Sequence, residues 1–252
     1  MLADTSSDHM APPSRAVACC LIFLSAVTGG LAIPAFGLFL FLGLPGRINL
    51  HFTPVLSLCF DAILSLLFFV QHSLMIRKRL KPTFLGDAGK GAFYSIFSGL
   101  TLFVIMIFWQ KSFLVHFDIK DYSKILVVLL LFPAIVVGGW GLLSLSNLDP
   151  LGITALKHHL AKIPFKSPPF ITKGAYRFVR HPLYLSCLLF IWSSPSITAD
   201  RLLMNLLWTI WIVIGTILEE KDLVARYGSR YRTYQKHVGM LFPRLLNQKG
   251  NQ

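Results

Sequence analysis

The chain has 252 residues, 54% of them hydrophobic and only 14% charged, a balance too apolar for an ordinary soluble domain and short enough for one membrane bundle. Its net charge of +13 sits in short segments between apolar runs, where anionic headgroups are the nearer partner, so membrane lipids are expected and nucleic acid is not. Cys19, Cys20, Cys59 and Cys187 lie in or beside apolar runs without any CxxC spacing, which predicts neither a disulfide nor a metal site.

A polar tail, residues 1–16, precedes an apolar run too long for a signal-peptide core. Runs of spanning length, which takes roughly 20 residues, lie near 17–44, 54–76, 92–110 and 123–146, and two more near 182–196 and 202–219. The fold class that follows is an all-α, polytopic membrane helix bundle of six transmembrane helices, or five if the short fifth run, broken by Pro195, crosses only partway. In the fourth run, Gly138, Gly139 and Gly141 around Trp140 read as close helix packing, since no strand precedes them to make a nucleotide loop.

Lys and Arg counts set the orientation, because basic short loops resist translocation. With the N-terminus inside, the inner segments hold 19 basic residues and the outer ones 5, namely Arg47, Lys111, Lys120, Lys124 and Arg201. Both N- and C-termini are therefore expected to be cytosolic.

Three inner stretches carry more polar detail than a connector needs. Gln71, His72 and Ser73 close the second run before the anchor of Arg77, Lys78, Arg79 and Lys81. A polar side chain at that depth turns to the bundle interior or a wet cavity, so His72 is either an interhelical hydrogen-bonder or a substrate-side base. In Gly174-Ala-Tyr176-Arg-Phe-Val-Arg180-His181-Pro182-Leu183-Tyr184, Pro182 suits the first turn of a helix. That helix start, flanked by Arg180 and His181, can receive an anionic group or simply bind headgroups. Glu219 and Glu220 close the sixth run at the disfavoured negative end of the helix dipole and need partners; Lys221 and Arg226 are within reach in sequence. Tyr227, Tyr231 and Tyr234 then recur at helical spacing among Arg226, Arg230, Arg232 and Lys236, a pattern of an interfacial helix.

The ordered series GAYRFVRHPLY (174–184), EEKDL (219–223) and YGSRYRTY (227–234), closing on Phe242-Pro243, resembles the isoprenylcysteine carboxyl methyltransferase superfamily of membrane methyltransferases. VQHSLM (70–75), NLDPLG (147–152) and SPSITADRLL (194–203) look like its branch containing methanethiol S-methyltransferase and nurim. The resemblance implies that residues 147–252 form a methyltransferase-like region behind a four-helix membrane region, 17–146. It implies S-adenosyl-L-methionine as cofactor, bound without a Rossmann loop. The matching positions are Tyr176, His181, Pro182, Leu183 and Tyr184, with Glu219 as the contacting acid beside Glu220, and Ile171 in a stretch from Pro168 whose backbone alone would transfer. Gly215 stands where the prenylcysteine enzymes carry a substrate-touching Arg.

The expected activity is methyl transfer to a small or membrane-soluble thiol, with Arg180 favouring the thiolate and His72 as a spare base. The alternatives are a nurim-like non-catalytic scaffold and a lipid or prenylcysteine methyltransferase. The protein is expected in a bacterial inner membrane or, in a eukaryote, the endoplasmic reticulum or nuclear envelope.

Overall fold

The computed structural model describes residues 13–76, 85–114, 116–118, 121–145, 148–164, 170–194 and 196–244. Arg77, Lys78, Arg79, Lys81, Pro168 and Pro195, invoked above, lie outside them. The described chain is mostly helical: α1 (Arg15–Leu24), a π-helical turn (Ser25–Gly29), α2 (Gly30–Leu42), α3 (Pro54–Ile76), α4 (Gly86–Phe108), α5 (Asp121–Ser144), α6 (Ile153–Leu160), α7 (Pro182–Ile191), α8 (Ala199–Tyr227) and α9 (Ser229–His237). Among the described residues four helices are long and apolar enough to cross a membrane, Arg15–Leu42, Pro54–Ile76, Gly86–Phe108 and Ala199–Tyr227. Large apolar side chains face outward, such as Leu143 at 89%, Phe132 at 72% and Phe23 at 67% exposure; in water they would be aggregation sites, in lipid they are the solvated surface. This is an integral membrane protein. Of the two remaining apolar runs, α7 has only 10 residues, about 15 Å of helix, so the fifth run is shorter than its apolar sequence. A feature the sequence reading omitted is a two-stranded antiparallel ribbon, β1 (His116–Asp118) with β2 (Ser196–Thr198), pairing Phe117 with Ile197.

The chain forms two compact units. The first comprises residues 1–37, 66–107 and 149–167. Its core is Ala18, Leu21, Leu85, Ala92, Ile96 and Leu156, and its backbones meet through small residues. A Cβ on Gly99 would fall 2.5 Å from the Thr28 carbonyl oxygen, and one on Gly91 2.9 Å from Gly152 Cα. Gly152 has φ +66°, a left-handed conformation that suits glycine. His72 belongs to this unit.

The second unit comprises residues 38–65, 108–148 and 168–252. Here the glycines of α5 do pack: a Cβ on Gly138 would lie 2.5 Å from Ser186 Oγ and one on Gly141 2.9 Å from Leu183 Cδ2, so both admit α7. At the start of α7 the chain is pinned from behind by the C-terminal segment, with the Arg180 N–H on the Gly239 carbonyl at 2.8 Å and the His181 N–H on that of Met240 at 3.1 Å. The last two helices, α8 and α9, meet at Gly228, φ +58°.

Candidate functional site

His181 is the residue just before α7, and Pro182 is its first. Pro182 cannot extend the helix backward because the preceding residue is driven from helical geometry; His181 accordingly has φ −127° and ψ 67°. The corner leaves Arg180 and His181 pointing together at the far end of α8.

Their common partner is Glu220. Arg180 grips it side-on, Nε on Oε1 at 2.6 Å and Nη2 on Oε2 at 2.8 Å, the two-point geometry that suits guanidinium and carboxylate. Arg180 Nη1 also donates to the carbonyls of Gln235 and Val238. Glu220 further meets His181 Nε2 at 2.9 Å, the Tyr231 hydroxyl at 2.8 Å and the Gln235 amide at 2.5 Å. With Arg180 and Glu220 side chains only 8% and 10% exposed, this is a buried, well-donated ion pair that ties α7, α8 and α9 together. Neither Lys221 nor Arg226, the sequence neighbours, supplies the partner of Glu220.

Glu219 behaves differently. Its side chain is 43% exposed, yet Oε2 is buried without a hydrogen-bond partner among the described residues; His181 Nδ1 lies 3.8 Å away, beyond hydrogen-bond reach. Glu219 lines a cavity of about 330 Å³ together with Ile171, Tyr176, Arg180, His181, Leu183 and Tyr184, within the range of small-molecule sites. The structure therefore brings seven of the sequence-assigned residues to one cavity. Pro182 and Glu220 stand behind it, Pro182 shaping the corner and Glu220 holding Arg180 and His181. The His181 ring stacks on Tyr184, centroids 5.6 Å apart and planes 18° from parallel.

The same cavity is lined by Phe170, Tyr227, Tyr231 and Tyr234. The helical spacing of the tyrosines predicts one interfacial helix; instead Tyr227 ends α8 before the break at Gly228, Tyr231 and Tyr234 lie on α9, and all three line the cavity. Tyr231 is 1% exposed and the Tyr234 hydroxyl donates to the Tyr176 carbonyl. Phe170 lies among them, 5.0 Å from Tyr227 and 5.4 Å from Tyr234 between centroids. Burial pushes the Tyr176 phenol up to about 12, aided by the charge of Glu219. Burial raises Tyr231 and Tyr234 as well, so all three remain neutral donors at physiological pH. Gln235 gave no signal in the sequence.

His72, in the first unit, meets the Tyr94 hydroxyl through Nε2 at 2.7 Å and Ser98 Oγ through Nδ1 at 3.3 Å, while Thr101 donates to Gln71 at 3.2 Å. This matches the interhelical hydrogen-bond alternative stated for it.

Four helices long and apolar enough to cross a membrane, one of them ending in a buried Arg–His–Glu joint, define an integral membrane protein. The methanethiol S-methyltransferase of Pseudomonas deceptionensis is 36% identical over 205 residues, covering 78% of this chain and 77% of that protein; that of Pseudomonas sp. (strain GM41(2012)) is 34% identical over 244 residues, covering 92% and 90%. Nurim of Rattus norvegicus is 27% identical over 180 residues, 66% and 68% of the two chains. The chain belongs to the methanethiol S-methyltransferase family, in the branch of the isoprenylcysteine carboxyl methyltransferase superfamily that its motifs resemble. No family model matches it, and no solved structure does.

Proposed function

We propose that the protein is an S-adenosylmethionine-dependent methyltransferase acting on a small thiol such as methanethiol, with both termini and the cavity on the cytosolic side. The observation that carries this reading is the buried Glu219 Oε2, without a hydrogen-bond partner among the described residues, at the wall of an aromatic cavity of about 330 Å³. A carboxylate oxygen kept from water without a donor is costly, and a ligand bearing ammonium, hydroxyl or sulfonium groups would relieve it. The fit extends to the walls: Tyr176 and Tyr184 line the same cavity, and a cation beside aromatic faces is attracted by their quadrupoles.

When bound, S-adenosylmethionine would supply a methyl group on a sulfonium centre to a thiolate acceptor. Glu219 would accept hydrogen bonds from it. His181 and Tyr184 form the wall beside Glu219, and Ile171 and Leu183 contribute apolar surface that excludes water. Arg180 and Glu220 hold that wall in place, since positioning within a fraction of an ångström supplies much of the rate in a displacement. Arg180, expected from the sequence to favour the thiolate, has its donors on Glu220 and two carbonyls, and we assign it the positioning role. His72 is retained as the base to test. Gly215, where a Cβ would meet nothing within 4 Å, offers no group to a prenylated carboxylate, which favours the small thiol.

The test is calorimetry of the detergent-solubilised chain with S-adenosylmethionine and its demethylated product, then a headspace assay for dimethyl sulfide from methanethiol. Saturable binding and turnover are expected. Absence of binding to either cofactor form overturns the enzyme reading in favour of a nurim-like non-catalytic protein, and binding without turnover redirects the search to lipid or prenylcysteine acceptors.

A further inference from the structure

The cavity at the end of α8 has a charged wall residue that the reading above leaves without a task. Of the cationic side chains lining it, Arg180 is committed to Glu220 and two carbonyls, and His181 meets Glu220. The remaining one among the described residues is Arg226. It is exposed, and among the described residues its guanidinium makes no hydrogen bond or ion pair. It lies over the ring of Tyr227, 5.2 Å from the centroid, and Tyr227 lines the same cavity. Such a contact favours one place for a long side chain without supplying a counter-charge.

Arg226 belongs to the last turn of α8, where the helix dipole favours a cation whichever way it points. Its place on the cavity wall is a separate matter and follows from spacing. Glu219 and Arg226 are two turns apart in sequence, so they share one face of the helix, about 10 Å apart along its axis. Leu223 stands between them and lines the cavity as well. Along α8 the wall therefore runs from an acid through an apolar side chain to a cation.

S-adenosylmethionine carries its one anionic group, the α-carboxylate, at the end of its methionine arm, with the ribose hydroxyls several bonds away. We propose that Arg226 binds that carboxylate and so fixes which way round the cofactor lies, leaving Glu219 to the ribose hydroxyls; this rests on the methyltransferase reading. A guanidinium fork suits a planar two-oxygen head. A reversed cofactor would set its carboxylate against Glu219, like charge against like.

The full chain in detergent, at constant ionic strength, is titrated calorimetrically with S-adenosylmethionine and with its decarboxylated form, which keeps the ammonium, sulfonium and ribose. Wild-type protein is expected to prefer the intact cofactor by about tenfold or more. Arg226→Gln is expected to bring the intact cofactor down to the affinity of the decarboxylated one. Arg226→Lys should keep part of the preference, because the charge stays and the fork goes. Arg230→Gln removes a cation that lies over the Phe170 ring and is not on the cavity wall, and should leave the preference whole; Glu219→Ala should weaken both ligands alike. The proposal is overturned by a wild type that binds both ligands equally, by a preference that survives Arg226→Gln, or by an equal loss in Arg230→Gln, which would reduce the effect to the overall charge of the tail. If Arg226→Gln does not fold by circular dichroism, Arg226→Lys carries the comparison, and an undiminished preference there overturns the proposal. A wild type that binds neither ligand fails the methyltransferase reading and this inference with it; binding without preference fails the assignment of Arg226 alone.

Discussion

Arg180 and Arg201 belong to the same compact unit, and both are buried guanidiniums beside acidic residues. Along α8, Arg201 and Glu220, the partner of Arg180, are separated by about 30 Å of helix. At the first position the side-on edge is closed by a carboxylate from another helix, and the remaining donors reach backbone carbonyls. At the second, the neighbouring carboxylate is turned to an indole and a backbone amide instead, and the edge has no partner among the described residues. The contrast separates a charge closed into a structural joint from one whose side-on edge stays open among the described residues. The same division runs within the glutamate pair, where Glu220 is saturated with donors and Glu219 Oε2 has none among the described residues.

The largest expected effect comes from breaking the closed joint. Glu220→Ala leaves Arg180 buried without its counter-charge and should cost about 3–5 kcal/mol in unfolding stability, measured by denaturant or thermal melting in detergent; a loss under about 1 kcal/mol would mean that the joint is no more than a surface pair. Glu219→Ala should do the reverse, lowering affinity for S-adenosylmethionine about 10- to 100-fold while the melting temperature holds, so a stability loss without an affinity loss would erase the distinction between the two acids. Arg201→Met, which replaces a buried guanidinium whose Nε and Nη2 have no hydrogen-bond partner among the described residues by an apolar chain of similar length, should stabilise the protein by about 1 kcal/mol. Destabilisation would show that the neighbouring charge of Asp200 already balances Arg201.

The smallest effect tests the aromatic wall. The Tyr176 phenol is pushed up to about 12 by burial from a reference of 10.0. A phenol whose folded-state value lies above the unfolded one contributes stability that is whole below pH 10 and fades as pH climbs toward 12. Tyr176→Phe should therefore flatten the loss of stability between pH 10 and 12; an unchanged alkaline slope would remove Tyr176 from the desolvated wall.

Much of this was legible in the sequence because the signals were local. Apolar length placed α3, α4 and α8, since a run of such length without charge has few other uses. Pro182 fixed the start of α7 through its own covalent geometry. The Arg180–Glu220 joint was legible only as two separate motifs, because nothing in the spacing of residues 180 and 220 says that the two ends meet; sequence proximity pointed instead to Lys221 and Arg226. The tyrosines of α9 had the right periodicity, but periodicity gives a face and not what the face looks at, which here is Phe170 and Glu220 and not the membrane surface. Arg201 was counted only as an outer-loop cation, since a charge at a helix start looks the same in sequence whether it is solvated or enclosed. The early end of α7 was likewise hidden, because the apolar run continues past Ile191 into Trp192.

The convergence of donors on Glu220 has one further consequence, for the tail. Tyr231 and Gln235 sit on α9, a helix rich in exposed basic residues, including Arg230, Arg232 and Lys236. These are cleavage points for trypsin, but only when α9 is locally open. Because α9 is fastened through the same carboxylate that holds Arg180 and His181, opening the tail and loosening the wall are linked events. The rate at which trypsin clips α9 is then a gauge of whether the joint thirty ångströms from Arg201 is intact, readable without any substrate at all.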